Sequence, residues 1–226
     1  VYFTSPGKGI YIHEIESFYG KRLNCDIEKD NFLAKSHFEE IILVKNWKIP
    51  KYKKDWGVKC RFHDFEEYSS LKSPVVEFHC SQRDMEIDFK GSSKHSQLVV
   101  HAPEIFDRKL VDICSSDKDI VKGSIDILQK AIDKTLSISK NFPKKKPKFV
   151  VHLGGMSLDQ ITGKESIELM MERAVDNFKK LNYNQDDIEI LPENLPPRPW
   201  YLGGQWFQYG FMHSKDMINF CDYFNL

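Results

Sequence analysis

The chain has 226 residues, 41% hydrophobic and 13% aromatic, enough for a sizeable core in one large domain or one domain plus part of another. Lys+Arg and Asp+Glu number 33 each, so the formal net charge is zero and no global bias selects nucleic acid or an anionic membrane as partner. Five cysteines, an odd count with no CxxC pair and no zinc-like clustering, read as reduced thiols, and no apolar run approaches the ~18 residues of a membrane span. With no signal peptide in view, the expected protein is soluble and cytoplasmic, with reduced thiols.

The chain opens on "VYFTSPGKGI" without an initiator methionine and stops at "MINFCDYFNL" inside a helical pattern. This reads as a fragment of a longer protein. In residues 1–43, Pro6–Gly7 marks a tight turn and Gly9 a second bend, and short apolar pairs split by polar turns predict a small β-rich module. Residues 44–55 lie in the basic, aromatic stretch "VKNWKIPKYKKDW"; Pro50 and the missing helical period make it a linker.

From Trp56 one unit recurs: a short Val/Ile/Phe-rich run ends in a polar residue, a turn follows, and then usually an amphipathic helix. The runs are "WGVKCRFHD", "PVVEFHC", "QLVVHAP", "KFVVHLGG" and "DIEILPEN". Residues 119–139 place Ile120, Val121, Ile125, Leu128, Ala131, Ile132 and Leu136 on one helical face, with Ser115 or Ser116 as its cap. Residues 164–181 repeat the pattern through Ile167, Met170, Met171, Ala174, Phe178 and Leu181. A last helix capped by Ser214 runs through Met217, Ile218 and Phe220. Strands alternating with such helices predict βαβ units and a parallel sheet, covered on both sides or closed into a barrel. Neither GxGxxG nor GxxxxGK[ST] is present, which argues against dinucleotide and P-loop folds.

The strand ends carry the chemistry. The runs finish at His63 and Asp64, at His79, at His101, at His152 and at Glu193. In a (β/α)8 barrel the active site is built at the C-terminal ends of the strands. A ring of imidazoles and carboxylates there can bind a divalent metal and move protons. His101 and His152 are each followed by turn residues that leave the imidazole facing the cavity, and Glu193 leaves its strand beside a proline-rich loop. His63 and His79 are either substrate contacts or packing groups, and Glu77 shares a face with His79. The loop "PWYLGGQWFQYGF" brings Trp200, Tyr201 and Trp206 over the cavity, where indoles could stack on a sugar or cover the barrel rim. Arg108 and Lys109, after the third strand, could hold an anion or be solvated, and "PKKKPK" before the fourth strand is a solvated turn.

"HAPE", "VVHLGG" and "LPEN" at successive strand ends resemble the sugar phosphate isomerase/epimerase superfamily, the xylose isomerase-like barrels that also include a DNA-repair endonuclease. The resemblance covers about residues 56–226 and implies about five of the eight strands of a TIM barrel. It implies that Glu193 is a metal ligand and that His101 and His152 bind metal or substrate as catalytic groups. The family's remaining ligands, an Asp and a His on the sixth strand, would lie beyond Leu226. Residues 1–41 resemble the later part of the antifreeze-like (SAF) domain of sialic acid (N-acetylneuraminate) synthases, through "SPGKGI…FYGKRLNCDIEKDNFLAKSHFEE". The arginine that in that family stands beside the Pro-Gly turn is replaced here by Thr4 and Ser5.

Together the resemblances imply a protein of nonulosonate (sialic acid-like) biosynthesis. A synthase-type region would carry a metal-dependent isomerase or epimerase barrel that binds Mn, Mg, Zn or Co. Its substrate would be a sugar or sugar phosphate, its full-length form a homo-oligomer, and neither nucleic acid nor membrane a partner. Glu193, His101 and His152 would act catalytically, and His63, His79, Trp200 and Trp206 would contact substrate. The alternatives are a metal-dependent hydrolase of the endonuclease type, and a non-catalytic carbohydrate-binding or assembly module. A five-strand segment alone is expected to be inactive and poorly stable, because its sheet edges stay open.

Overall fold

A computed structural model describes residues 9–10, 12–29, 31–38, 56–143, 145–158 and 163–226. The chain divides into two compact units, Val1–Pro50 and Lys51–Leu226. The linker at 44–55 and the Pro6–Gly7 turn lie outside the described residues, as does Lys144 of the "PKKKPK" stretch.

In the first unit the described residues form two 3-10 helices, Ile12–Phe18 and Lys35–His37, and no strand, where the apolar pairs had predicted a β-rich module. Local side-chain and backbone bonds hold it instead. Asn24 donates its amide to Ser36 O, and the His37 ring accepts the Ala34 N–H across one turn. Such local bonds compete with strand ladders for the backbone. Gly9 has φ 88°, and a Cβ there would lie 2.6 Å from Leu33 O, so the bend requires glycine.

The second unit is mixed α/β. Five strands, β1 (Gly57–Cys60), β2 (Val75–His79), β3 (Gln97–His101), β4 (Lys148–Val151) and β5 (Glu189–Pro192), form one parallel sheet. Their order in the sheet is their order in the chain. Among the described residues four helices accompany them: α1 (Phe65–Ser69), α2 (Lys118–Ser139), α3 (Lys164–Phe178) and α4 (Ser214–Phe224). Helices α2 and α3 are the crossovers of two βαβ units, and a 3-10 helix at Gln82–Met85 serves between β2 and β3. Among the described residues, no helix is long and apolar enough to cross a membrane.

The pleat sorts the strand residues into two faces. One face, Val76, Phe78, Leu98, Val100, Phe149, Val151 and Ile190, is buried in one cluster with Ile127, Leu128, Ala131 and Ile132 of α2, Ala174 and Phe178 of α3, and Phe220 of α4. Phe62, Phe65, Phe89 and Phe142 ring Phe78 with centroids 5.0–5.9 Å away. The other face carries the charged strand residues beside Val99, Val150 and Leu191: Lys59 lies 3.9 Å from Glu77, and Lys148 lies 2.7 Å from Glu189. That face ends in the histidines.

Two cap assignments change. Helix α2 begins at Asp117, whose carboxylate accepts the N–H groups of Asp119 (2.8 Å) and Ile120 (3.2 Å), while Ser115 accepts the Asp117 N–H. Asp117 immediately precedes the first helical residue and outcompetes serines one and two positions too early. In α4 Ser214 is already helical and His213 holds the cap position. All five cysteines are free, and Cys60, Cys80 and Cys114 are buried.

Candidate functional site

Register assembles the site. His79 and His101 are partners across β2 and β3, so their rings stack with centroids 4.2 Å apart and planes 10° from parallel. Val150 is the partner of His101, and two residues later, on the same face, comes His152, whose ring meets His101 edge-on at 4.8 Å. Val151 pairs with Pro192, which places Glu193 beside His152, and the Glu193 N–H bonds to Val151 O at 2.9 Å. Glu193 Oε2 then lies 3.1 Å from His152 Nε2 and 3.3 Å from His101 Nε2.

A second carboxylate comes from a loop. Glu104 follows β3 by three residues, and its carbonyl accepts the N–H of Val111 (2.9 Å) where a hairpin, Ile105–Phe106 with Lys109–Leu110, turns back. Its Oε1 lies 3.2 Å from His152 Nδ1 and accepts the Tyr201 hydroxyl at 2.9 Å, while Oε2 lies 3.6 Å from His79 Nε2. Glu104 had been legible only as a member of the "HAPE" motif, and Tyr201 only as one aromatic among several. A carboxylate beyond Pro103 in the turn that follows a strand-end histidine was the available signal.

The charges follow from the contacts. Burial disfavours a charged His152, but the carboxylates of Glu104 and Glu193 on its two nitrogens outweigh burial and raise its pKa. Burial would likewise raise Glu104, but hydrogen bonds with His152, His79 and Tyr201 leave its carboxyl well below the usual carboxylate range. His101 goes the other way, pushed down by burial and by its neighbours His152 and His79 against a bond to the Ala102 carbonyl. Burial and the nearby Glu104 carboxylate push the Tyr201 phenol up, so it stays a proton donor.

His101 Nδ1 lies 2.9 Å from the Ala102 carbonyl, which places the ring proton there. In the neutral imidazole that burial favours, Nε2 then presents a lone pair to the Glu193 carboxylate at 3.3 Å. Two acceptors at that distance call for a cation or a proton between them. Two groups of potential ligand atoms, His79–His101–Glu104 and His101–His152–Glu193, each fall within 4.8 Å and share His101. Imidazoles mixed with carboxylates suit Zn, Mn or Co better than a soft ion. His79 Nδ1 is buried without a hydrogen-bond partner among the described residues. The residues present therefore fit a divalent metal.

The remaining sequence-derived residues are placed as follows. β1 ends at Cys60, so His63 is exposed in the turn beyond it, outside both ligand groups, and Asp64 accepts the Arg61 N–H at 2.6 Å instead of lining the site. This turn forms because the Asp64 carboxylate reaches back three residues to a strand-end amide. Trp200 is 69% exposed and alternates with Tyr201 on a short hairpin, Trp200–Tyr201 with Gly204–Gln205. Trp206 is half-buried, and its indole N–H bonds to Tyr201 O at 3.0 Å, bracing the residue that reaches Glu104. Arg108 stands in the tight turn of the hairpin after β3 with φ 62°, and Lys109 begins its second strand.

No protein-family model and no curated protein matches this sequence.

Proposed function

We propose that the second unit is a metal-dependent isomerase or epimerase acting on a sugar or sugar phosphate, on a (β/α)8-type barrel. Parallel strands in unbroken chain order and helices packed on one sheet face support the barrel reading. The observation that carries the functional reading is His101 Nε2 set 3.3 Å from the Glu193 carboxylate, with His152 on the same oxygen at 3.1 Å and His101 Nδ1 on the Ala102 carbonyl. Glu193, His101 and His152 would hold the metal, which when bound would polarise a substrate carbonyl and its neighbouring hydroxyl. Glu104 keeps its charge at neutral pH and orients His152 by accepting its Nδ1–H, which leaves Nε2, beside Glu193, for the metal. Tyr201 remains protonated and closes one wall, and the exposed Trp200 indole offers a flat apolar face to a sugar ring. The setting in nonulosonate biosynthesis follows from the likeness of residues 1–41 to SAF domains, and the homo-oligomer and cytoplasmic location go with it.

The test is a titration of the metal-free protein with Mn2+, followed by calorimetry. Glu193→Gln is expected to weaken binding about 100-fold or more, and an unchanged affinity overturns the assignment. Solvent deuterium entering an aldose or ketose phosphate beside its carbonyl carbon would then support the isomerase chemistry.

One observation favours a second reading. The two ligand groups share His101, whose Nε2 can serve one ion, so a second ion, as a hydrolase of the endonuclease type would need, would rest on His79 and Glu104. Two Mn2+ bound per chain together with cleavage of DNA at an abasic site would select that reading over the isomerase.

A further inference from the structure

Asp112, in the loop after β3, lies outside both ligand groups. Its Oδ1 accepts the N–H of Gly155 at 2.9 Å and that of Cys114 at 2.8 Å, while its own N–H donates to Ser124 Oγ of α2 at 2.8 Å. Gly155 stands three residues beyond His152. Between them Leu153 O accepts the Ile113 N–H at 3.2 Å and the Cys114 thiol at 3.4 Å. The β4 end of the same stretch is held by Glu193 N–H on Val151 O at 2.9 Å. His152 therefore sits between two anchors, one supplied by β5 and one by the Asp112 loop.

The approach is close enough to dictate the sequence. Gly154 has φ 91°, and a Cβ there would lie 2.1 Å from Asp112 Oδ1 and 2.6 Å from Asp112 Cα. Gly155 has φ 82°, and a Cβ there would lie 2.9 Å from Gly210 Cα. From the opposite side, Gln208 Nε2 donates to Gly154 O at 2.8 Å, and the N–H groups of Tyr209 and Gly210 bond to Gly155 O at 2.9 and 3.1 Å. The glycine pair is a thin plate gripped between the loop after β3 and the loop after β5. This accounts for a glycine pair two and three residues after His152: only backbone fits where three site-bearing loops converge.

We propose that Asp112 is a positioning residue that sets the place of His152 by holding the Gly154–Gly155 turn, and so keeps the His152 ring between Glu104 and Glu193. The proposal rests on the reading of His152 as part of the metal-binding group. Asp112 belongs to neither ligand group and acts on His152 through the turn.

The experiment uses the full chain and Co2+ as probe, with affinity from calorimetry and ligand geometry from the visible spectrum. Asp112→Ala is expected to lower Co2+ affinity by about tenfold or more and to change the visible bands, as loss of an outer support does. Asp112→Asn keeps an acceptor oxygen for Gly155 and is expected to restore most of the affinity. Asn177→Ala is the control: Asn177 is buried and donates to Ile113 O at 2.8 Å, so it loosens the same region without freeing Gly155. It should lower the melting temperature and leave Co2+ affinity and spectrum unchanged. Equal affinity losses in Asp112→Ala and Asn177→Ala, or full affinity in Asp112→Ala, overturn the proposal. Should Asp112→Ala fail to fold, Asp112→Glu, which displaces the carboxylate from Gly155, carries the same expectation. Should the unaltered protein bind no Co2+, the metal reading fails, and the proposal is decided by the crystal structure of the metal-free variant. There the His152–Glu104 contact of 3.2 Å should open beyond hydrogen-bond range, and its retention overturns the proposal.

Discussion

Glu104→Gln removes one negative charge from the centre of the cluster and leaves shape and hydrogen-bonding capacity nearly intact. At the observed 3.2 Å from His152 Nδ1, a unit charge pair is worth about 5 kcal/mol gross at an effective dielectric near 20. The Glu104 side chain is 24% exposed and Glu193 still faces His152, so the net loss is smaller, about 2–3 kcal/mol when His152 is charged. The pH dependence separates the charge from the hydrogen bond. The Glu104 pKa is depressed in the folded protein, so its contribution is complete above the unfolded value of 4.5 and is lost as pH falls through the folded pKa. The His152 pKa is raised, so its contribution is complete below the unfolded value of 6.5 and is lost as pH rises through the folded pKa. Both are present between pH 4.5 and 6.5. Urea denaturation with EDTA should show the full difference between the two proteins near pH ~5.5, falling to about 1 kcal/mol once the pH has risen past the folded His152 pKa, where only the neutral hydrogen bond remains. A difference that grows from the lower to the higher pH, or that stays below about 0.5 kcal/mol throughout, refutes the assignment of an ion pair.

Phe78→Ala should cost about 3–5 kcal/mol by denaturant titration, because the ring is 0% exposed and packed among four other phenyl rings. Gly154→Ala should lose about 1–3 kcal/mol from its φ of 91° alone, and more from the clash with Asp112, again by denaturant titration. Thiol labelling of the native protein at pH ~8 should modify the exposed Cys25 rapidly. Cys60 and Cys80, whose thiols burial pushes up to about 12, should react only on unfolding, as should the fully buried Cys114. Rapid native labelling of three or more cysteines would show that the core around β1–β3 opens.

The sequence by itself determined the strands, the two long helices and the histidines at the strand ends. Apolar runs of strand length, and apolar residues at helical spacing, reflect local geometry that each segment carries alone. The period of two also put Glu77 and His79 on one face of their run, so a polar pair ending in histidine was legible before any tertiary contact was known. Tertiary structure alone decided which polar groups meet. His63 stood at the end of the first apolar run, but β1 stops at Cys60 and the turn takes His63 to the surface. Glu104, Tyr201 and Asp112 enter from loops that have no period to read, and the bonds fixing them span 48, 97 and 43 residues. Interstrand register puts His79 against His101 and Glu193 against His152, and register is a property of pairs of strands. The glycines after His152 show both sources at once: the sequence marks a turn there, and only the loop carrying Asp112 explains why that turn admits no side chain.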